Sequence, residues 1–233
     1  MISVDTKKKE LVGQFANKGR EWQPEGAPTE VLVHDFIGDA VGKAIPYGVY
    51  DVGRNEGWVS VGIDHDTSAF AVASIRSWWR SMGKRAYPDA RELYIVADAG
   101  GSNGYRARLW KAELQKFADD SRLQLSVSHI PPGTSKWNKI EHRLFSHISQ
   151  NWRGRPLVDH QTVVSLIANT TTAHGLKVKA RIDRRRYPTK VKVPDAVMRA
   201  LRIQPRRFHG IGTTSLLPTN THDHALSIFC AGP

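Results

Sequence analysis

The sequence has few of the features that mark secreted, zinc-binding or membrane-spanning proteins. Only one of its 233 residues is a cysteine, Cys230, so no disulfide can form within the chain and no cysteine-based zinc site is possible. A single cysteine fits a reducing compartment, and we expect a cytoplasmic protein. No apolar run approaches the roughly 18 residues that a membrane span needs. No apolar stretch follows Lys7 to Lys9, so neither a signal peptide nor a membrane partner is expected.

Several well-known catalytic and nucleotide-binding motifs are also missing. There is no H-E-x-x-H and no G-x-S-x-G. The segment Gly38 to Ala44 is one residue too short for a phosphate-binding P-loop, and it has Ala44 where a magnesium-binding Ser or Thr is required. The glycines between Gly100 and Gly104 do not have the spacing of a dinucleotide-binding turn.

Acidic residues are outnumbered by basic ones. The chain has 34 Lys and Arg against 22 Asp and Glu, which gives a net charge of +12 and a pI of about 10.0. Such an excess favours a polyanionic partner, because each Lys or Arg placed against a phosphate releases condensed counterions. The alternative is a generally basic protein without a nucleic-acid role. Apolar residues make up 40% and charged residues 24%, as in soluble globular proteins.

Hydrophobic periodicity predicts strands in the first half of the chain and then alternating helices and strands. The predicted strands are 1–4, 29–33, 44–52, 58–63, 93–97 and 123–129, with weaker patterns for a strand at 176–182. The predicted helices are 66–82 (ended by Gly83), 105–118 and 135–152, with weaker patterns at 159–173 and 194–201. This order predicts an α/β fold with a mixed sheet, antiparallel first strands and flanking helices.

We expect three parts along the chain. Residues 1–153 form the catalytic core, residues 154–210 form a basic C-terminal extension packed on or beside it, and residues 211–233 form an irregular tail. The extension has six Lys and Arg residues between Lys177 and Arg186.

Three acidic residues stand out by their context. Asp5 closes the first strand, Asp98 lies between the apolar strand and a Gly-rich turn, and Glu141 lies in the first turns of a helix after the Pro131–Gly133 loop. Ligands gather at strand ends in α/β sheets. Carboxylates alone would repel a phosphodiester, but two metal ions about 4 Å apart between them form a clamp for phosphoryl transfer. Hard carboxylate ligands select Mg²⁺ or Mn²⁺.

Each of these residues also has a simpler interpretation. A strand-end Asp such as Asp98 is often only a turn residue. Glu141 gains from the helix dipole wherever it lies near a helix start. Asp5 is close to three lysines, with which a solvated ion pair is an alternative. Taken one at a time, the three signals leave these alternatives open.

Longer stretches of sequence carry a family resemblance. The most telling is P-P-G-T-S-K-W-N-K-I-E-H-R-L-F-S-H-I at Pro131–Ile148, followed by W-R-G-R-P at Trp152–Pro156. Three further stretches belong with it: Y-I-V-A-D-A-G-G-S-N-G at Tyr94–Gly104, V-D-T-K-K-K-E-L-V-G at Val4–Gly13 and H-D-F at His34–Phe36. On these stretches the chain resembles the Rhodopirellula-type DDE transposases of bacterial insertion sequences.

This resemblance covers residues 1 to about 210 and implies a ribonuclease-H-like fold. It implies that Asp5, Asp98 and Glu141 are the catalytic residues and the ligands of Mg²⁺ or Mn²⁺, with two ions expected. Asp51, Asp64 and Asp66 also lie at strand ends and are alternative first acids, with Asp64 the first choice among them. The implied function is metal-dependent DNA cleavage and strand transfer in transposition. The implied partners are transposon ends and target DNA, with the protein as a homodimer in the bacterial cytoplasm and nucleoid. Members normally carry an N-terminal DNA-recognition region, so we expect the chain to be a fragment.

Four residues near the third acid are predicted to contact DNA. Asn138 precedes Glu141 by one helical turn, where it orients that acid, touches substrate or caps the helix. Lys136, Lys139 and Arg143 are placed to meet phosphates, although a solvated helix face is the default for each. Ile140, Leu144, Ile148 and Trp152 repeat every four residues and are predicted to be core. Neither His129 nor His142 is predicted to bind metal.

Two other functions remain open from the sequence. One is an inactive transposase remnant that binds DNA through charge alone, which predicts salt-dependent binding without cleavage. The other is a general ribonuclease-H-like nuclease, which a preference for RNA–DNA hybrids would identify.

Overall fold

The computed structural model describes residues 1–34, 36–131, 133–205 and 213–219. Within these ranges nine strands form one sheet in the order β7-β4-β3-β1-β5-β6-β9-β8, and β2 pairs with β3 outside this path. The strands are β1 (Ile2–Thr6), β2 (Glu10–Val12), β3 (Gly42–Asp51), β4 (Glu56–Gly62), β5 (Glu92–Asp98), β6 (Gln124–Ile130), β7 (Lys177–Asp183), β8 (Ile203–Pro205) and β9 (Thr213–Leu216).

Helices cover both faces of this sheet. They are α1 (Ser68–Trp78), α2 (Lys84–Ala86), α3 (Arg108–Ser121), α4 (Ser146–Asn151), α5 (His160–Ala168) and α6 (Asp195–Ala200). Single π-helical turns at Trp79–Gly83 and Glu141–Phe145 lead into α2 and α4, and 3-10 turns occur at Ile37–Asp39, Gly101–Asn103 and Ser135–Trp137. No helix in the described part of the chain combines the length and the apolar character needed to cross a bilayer.

The strand directions bring five strand ends to one edge. β3 runs antiparallel to both β1 and β4, whereas β5 is parallel to β1, β6 to β5, and β7 to β4. The carboxyl ends of β1, β4, β5, β6 and β7 therefore lie on the same side of the sheet, which we call the carboxyl edge. The mixed α/β sheet with antiparallel first strands and flanking helices, which the sequence predicts, is confirmed.

A separate apolar core lies on each face. One packs α1 and α3 against the sheet through Phe70, Trp78 and Trp110. The other packs the segment after Asn138, with α4 and α5, on the opposite face. The predicted core repeat is confirmed, since Ile140, Leu144, Ile148 and Trp152 are all buried there.

The helical run that starts with α1 begins as the sequence indicates, but it extends through the π-turn and α2 beyond the predicted end. The Thr67 side chain caps it by accepting a hydrogen bond of 3.3 Å from the Phe70 N–H. Gly83 was expected to end the helical run, but it has helical dihedral angles (φ −61°, ψ −50°) and the run continues to Ala86. The physical reason is packing: a Cβ on Gly83 would lie 2.5 Å from the Trp79 ring, so the glycine makes room for that indole.

Other differences from the predicted elements follow from long-range pairing. The strand predicted at 29–33 is wrong, because only an isolated bridge joins Leu32 to Phe15. The helix predicted at 105–118 is shifted and spans Arg108–Ser121. β2, β8 and β9 had no sequence prediction.

The predicted three-part division of the chain stays a prediction, although its third part contains a correction. Residues 213–216 of the expected irregular tail form β9, which pairs antiparallel with β6. Residues 220–233 lie outside the described residues. In the expected C-terminal extension, β7 pairs with β4 along its full length and α5 contributes to the second core.

Gly48 sets how closely the segment carrying Glu141 approaches the sheet. It lies opposite Asp5 in the register of β1 and β3. A Cβ at this position would come within 2.5 Å of the Phe145 ring and 2.8 Å of the Ile140 side chain. The absence of a side chain therefore lets the π-turn Glu141–Phe145 sit directly on β3.

We expect Gly48→Ala to lower the free energy of unfolding by about 1–3 kcal/mol, because an added methyl overpacks this contact. Urea titration followed by circular dichroism measures the change. Gly38→Ala is the matched control, since a Cβ there meets no heavy atom within 4 Å. A Gly48→Ala variant as stable as the Gly38→Ala variant contradicts the proposed close approach.

Candidate active site at the carboxyl edge

Two of the three predicted acids come from neighbouring strands. β1 and β5 are parallel and pair through Val4 and Ala97, so the next residue on each strand is Asp5 and Asp98. Adjacent strands are about 4.8 Å apart, which puts both carboxylates at the carboxyl edge. Glu141 begins the π-turn that packs on β3, and its charge and that of Asp98 both act on Asp5. The structure thus brings all three predicted acids into one electrostatic cluster.

A buried amide ties the segment carrying Glu141 to both strands. The Asn138 side chain is 0% exposed, and its NH₂ group donates to the Asp98 carboxylate at 3.0 Å and to the Val4 carbonyl at 3.2 Å. The Ser3 hydroxyl donates to the Asn138 side-chain oxygen and accepts from the Ile140 N–H at 3.0 Å. This network fixes the start of the helical segment against β1 and β5.

The structure corrects the prediction that Asn138 contacts DNA. Its side chain is fully buried, and its hydrogen bonds go to Asp98, Val4 and Ser3. It orients the second acid, Asp98, whereas helical spacing had predicted that it orients the third acid, Glu141. Ser3 gave no sequence signal, because its partner lies 135 residues away.

The Asp5 carboxylate is held by its own strand end and by the Gly-rich turn after β5. It accepts hydrogen bonds from the Thr6 N–H at 2.7 Å and from the Asn103 side chain at 3.4 Å. Asn103 is itself fixed by the Tyr47 hydroxyl, which donates to its side-chain oxygen at 2.7 Å. The turn that the sequence marks after Asp98 therefore positions Asp5 as well.

Burial and mutual repulsion make the cluster resist ionisation. Burial raises the pKa of Asp5 from its ordinary value of 3.8 to about 7, with the Asp98 charge as the next cause and the Thr6 N–H opposing it. Burial also raises the pKa of Glu141, again followed by Asp98, while Lys7 and His142 oppose the shift. Excess negative charge is thus concentrated at one point of a basic protein.

Asp5 and Asp98 open into a cleft with a volume of about 720 Å³. Its lining includes Asp5, Asp98, Asp66, the lysine run 7–9 and the Gly-rich turn. Asp66 accepts a hydrogen bond from the Thr6 hydroxyl at 3.1 Å and lies 3.3 Å from the Lys9 ammonium. A third carboxylate and three lysines thus line the cleft; the sequence had marked Asp66 only as an alternative first acid and gave the lysines no role there.

The other candidate first acids are placed differently. Asp64 turns toward β7, where it accepts a hydrogen bond from the Tyr187 N–H at 2.6 Å and lies 3.7 Å from Arg186. Asp51 lies at the opposite edge of the sheet, where its carboxylate accepts from the Tyr87 hydroxyl at 3.0 Å. Asp66 lines the same cleft as Asp5 and Asp98, but Asp5 is the candidate on the strand that pairs with β5.

The three predicted basic contacts lie on the surface of the segment around Glu141. Lys136, Lys139 and Arg143 are all exposed, and their contact with DNA stays a prediction. Both flanking histidines are engaged by backbone carbonyls. His129 contacts the Asn103 carbonyl at 2.8 Å, and His142 contacts the Lys136 carbonyl.

The donor chemistry of the cluster fits a hard divalent cation. Its ligating atoms are carboxylate oxygens, which suit Mg²⁺ and Mn²⁺. Burial first, and then the Asp98 charge, raise the pKa values of Asp5 and Glu141, and a bound cation would oppose both effects. Across residues 1–34, 36–131, 133–205 and 213–219, no three His, Cys, Asp or Glu side chains form a group that could by itself hold a metal. Mg²⁺ is commonly bound by one or two carboxylates together with substrate phosphates, which fits this arrangement.

We expect Asp5→Asn to stabilise the protein in metal-free buffer at pH 8. A carboxyl whose pKa is higher in the folded state binds its proton more tightly there, so stability falls as pH rises from about 4 to about 7. Asn removes this loss and still accepts from the Thr6 N–H. The gain is on the order of 2 kcal/mol, or roughly 4–8 °C in Tm.

Thermal denaturation between pH 4 and pH 8 measures this effect, and the difference from wild type shrinks toward pH 4. Asp89→Asn, at an exposed carboxylate, changes the net charge equally and serves as the control. Equal Tm changes in both variants at pH 8 would show that Asp5 is not strained by its neighbours.

Comparison with known proteins agrees with the sequence resemblance. The family model for the Rhodopirellula transposase DDE domain matches residues 1–218. Among solved structures, a Mos1 transposase paired-end complex with left transposon end is 12% identical, with a TM-score of 0.48 over 70% of this chain and 44% of that chain. A Mos1 mariner paired-end complex with Mn is also 12% identical, with a TM-score of 0.43 over 70% and 45%.

The chain thus spans less than half the length of these two Mos1 chains. No curated protein matches it. The family match extends over nearly the whole chain and includes Asp5, Asp98 and Glu141. The chain therefore belongs to the Rhodopirellula transposase DDE domain family.

Proposed function

We propose that this transposase domain cuts DNA strands and transfers the freed 3′ ends to target DNA, with Asp5, Asp98 and Glu141 as its catalytic acids. The observation that supports this best is the pairing of Asp5 and Asp98 at one cleft of a protein with a net charge of +12, with Glu141 close enough for its charge to act on Asp5. Family membership supports the same reaction class.

We propose that Asp5, Asp98 and Glu141 hold Mg²⁺ or Mn²⁺, with two ions in the active complex. When bound, such ions activate the attacking oxygen and stabilise the leaving one. The carboxylates contribute charge and hard oxygen ligands, and DNA phosphate oxygens and water complete the ligand set. Asn138 keeps the Asp98 carboxylate oriented through its 3.0 Å hydrogen bond.

The lysines of the cleft have a separate role in this proposal. Lys8 and Lys9 are exposed at its rim, where they contact the phosphates on either side of the cut. Lys7 is only 8% exposed; it pairs with Glu10 at 3.5 Å and lies 4.3 Å over the Trp152 ring. It therefore holds the chain after β1 against the segment carrying Glu141.

The partners follow from the reaction. The DNA substrates are transposon ends and a target duplex, and we propose that two copies of the protein act as a homodimer on paired ends. Such a protein works in the bacterial cytoplasm and associates with the nucleoid.

We expect Asp98→Asn to lower Mn²⁺- or Mg²⁺-dependent nicking of supercoiled plasmid by about 100-fold or more, because it removes a charged cation ligand. Asp39→Asn is the charge-matched control on an exposed loop. A second readout needs no catalysis: Mn²⁺ should raise the Tm of the wild type and not that of Asp98→Asn.

Each alternative gives a different result in this assay. Nicking that is unchanged in Asp98→Asn would show that the acids are assigned wrongly. Salt-dependent DNA binding without cleavage at any metal concentration identifies an inactive remnant. Preferred cleavage of RNA–DNA hybrids identifies a general nuclease.

Ser3 and Asn138 are expected to act as one unit, because a hydrogen bond joins their side chains. Ser3→Ala and Asn138→Ala should each lower nicking by about 10–100-fold, as for other residues that orient metal ligands. Because both break the same link, the double variant should be little worse than either single one. Fully additive losses in the double-mutant cycle would contradict this coupling.

A further inference from the structure

A second groove, separate from the carboxylate cleft, runs along the outer edge of β7. Its volume is about 890 Å³. Four arginines line it: Arg80, Arg181, Arg184 and Arg185. The Ser81 hydroxyl adds a further hydrogen-bond donor. The groove is therefore lined by groups that recognise anions.

The positive charge of this groove is largely uncompensated. Its carboxylate, Asp183, is held by Arg185 through contacts of 2.9 and 2.6 Å and also accepts from the Tyr187 hydroxyl at 2.7 Å. Arg80, Arg181 and Arg184 form no ion pair with any residue in the described ranges. Three guanidinium groups are thus available to a ligand.

Protection of a sheet edge does not account for all of these arginines. β7 is the outermost strand, and its exposed Lys177, Lys179 and Arg181 are the kind of residues that block unwanted strand pairing. Arg184, however, lies beyond the end of β7, and Arg80 lies in the π-turn after α1. These two positions are explained neither by edge protection nor by an ion pair.

The strand register relates the groove to the carboxylate cleft. Thr6, the residue after Asp5, pairs with Tyr47 on β3, Tyr47 pairs with Ser60 on β4, and Ser60 pairs with Arg181 on β7. Three strand spacings separate the two ends of this row, which is about 14 Å. β7 also ends at the carboxyl edge, so both sites open on the same side of the sheet.

We propose that this groove binds the phosphodiester backbone of the same DNA duplex whose scissile phosphate lies in the carboxylate cleft. A separation of 14 Å corresponds to about 4 base pairs at 3.4 Å per step of each strand. Guanidinium groups bind phosphate oxygens strongly without reading sequence, so the groove sets the register of the duplex. The inference rests on the proposed DNA-cleaving function and adds to it a second contact and its distance from the cut.

The first test measures DNA binding by the full chain as a function of salt. Arg181→Ala/Arg184→Ala is compared with Lys192→Ala/Arg199→Ala, two exposed basic residues around α6, which packs on α3 at the far side of the fold. Both pairs lower the net charge equally. Fluorescence anisotropy with a labelled duplex of about 30 base pairs, without divalent cations, gives the slope of log K against log[KCl].

The groove pair should lower the magnitude of this slope by about 1.8, since each lost phosphate contact contributes about 0.9. The control pair should change it much less. Equal changes in both pairs overturn the groove as a DNA site, while nicking that depends on Asp98 would still support the proposed function.

The second test measures the register. The wild-type Mn²⁺-dependent cut is mapped on the labelled duplex, and a methylphosphonate then replaces one phosphate at successive positions. Neutralising a phosphate about 4 base pairs from the cut should weaken binding of the wild type but not of Arg181→Ala/Arg184→Ala. If the methylphosphonate at this position weakens binding equally for the wild type and for Arg181→Ala/Arg184→Ala, the proposed register is overturned. Absence of any wild-type cut overturns the proposed function but not groove-dependent binding in the first test.

Discussion

The arrangement of the active site depends on satisfying one buried side-chain amide. Asn138 has no access to water, and a buried donor or acceptor left without a partner costs about 1–3 kcal/mol. Its partners are Asp98 on β5, the Val4 carbonyl on β1 and Ser3, which also binds the Ile140 N–H. These requirements are met together only when the helical segment meets both strands in one register. The same condition that stabilises the core therefore places Glu141 where its charge acts on Asp5 and the Asp98 charge acts on it.

This placement holds the acids together although their ionised forms destabilise the fold. Burial and the Asp98 charge raise the pKa values of both Asp5 and Glu141, so their ionised forms weaken the fold near neutral pH. Packing elsewhere offsets this cost, including the close contact of Phe145 on Gly48 and the two cores. A cation-dependent site requires concentrated negative charge even where that charge lowers stability. The bound cation then supplies the positive charge that compensates the carboxylates.

The sequence predicts features that depend on local pattern and misses those that depend on distant partners. Asp98 is visible because a continuous apolar strand ends there, and Ile140 to Trp152 are visible because their spacing is helical. Helical spacing also linked Asn138 to Glu141, but its side chain bonds to Asp98, 40 residues away. The pairing of β9 with β6 and the need for glycine at position 48 arise only once the sheet is assembled. Local periodicity carries no information about either.

The net charge likewise predicts a kind of partner but not the place where that partner binds. A value of +12 indicates a polyanionic partner but gives no position for it, because composition averages over the surface. The sheet supplies the position: parallel pairing of β7 with β4 carries Arg181 and the arginines after it to the edge where Asp5 and Asp98 lie. If the proposed function holds, attraction at the groove and repulsion at the cleft act on one duplex: the arginines hold its backbone, and the acids, which repel phosphate without a cation, admit it with metal bound. On this proposal, three strands of one sheet separate the part that holds DNA from the part that cuts it.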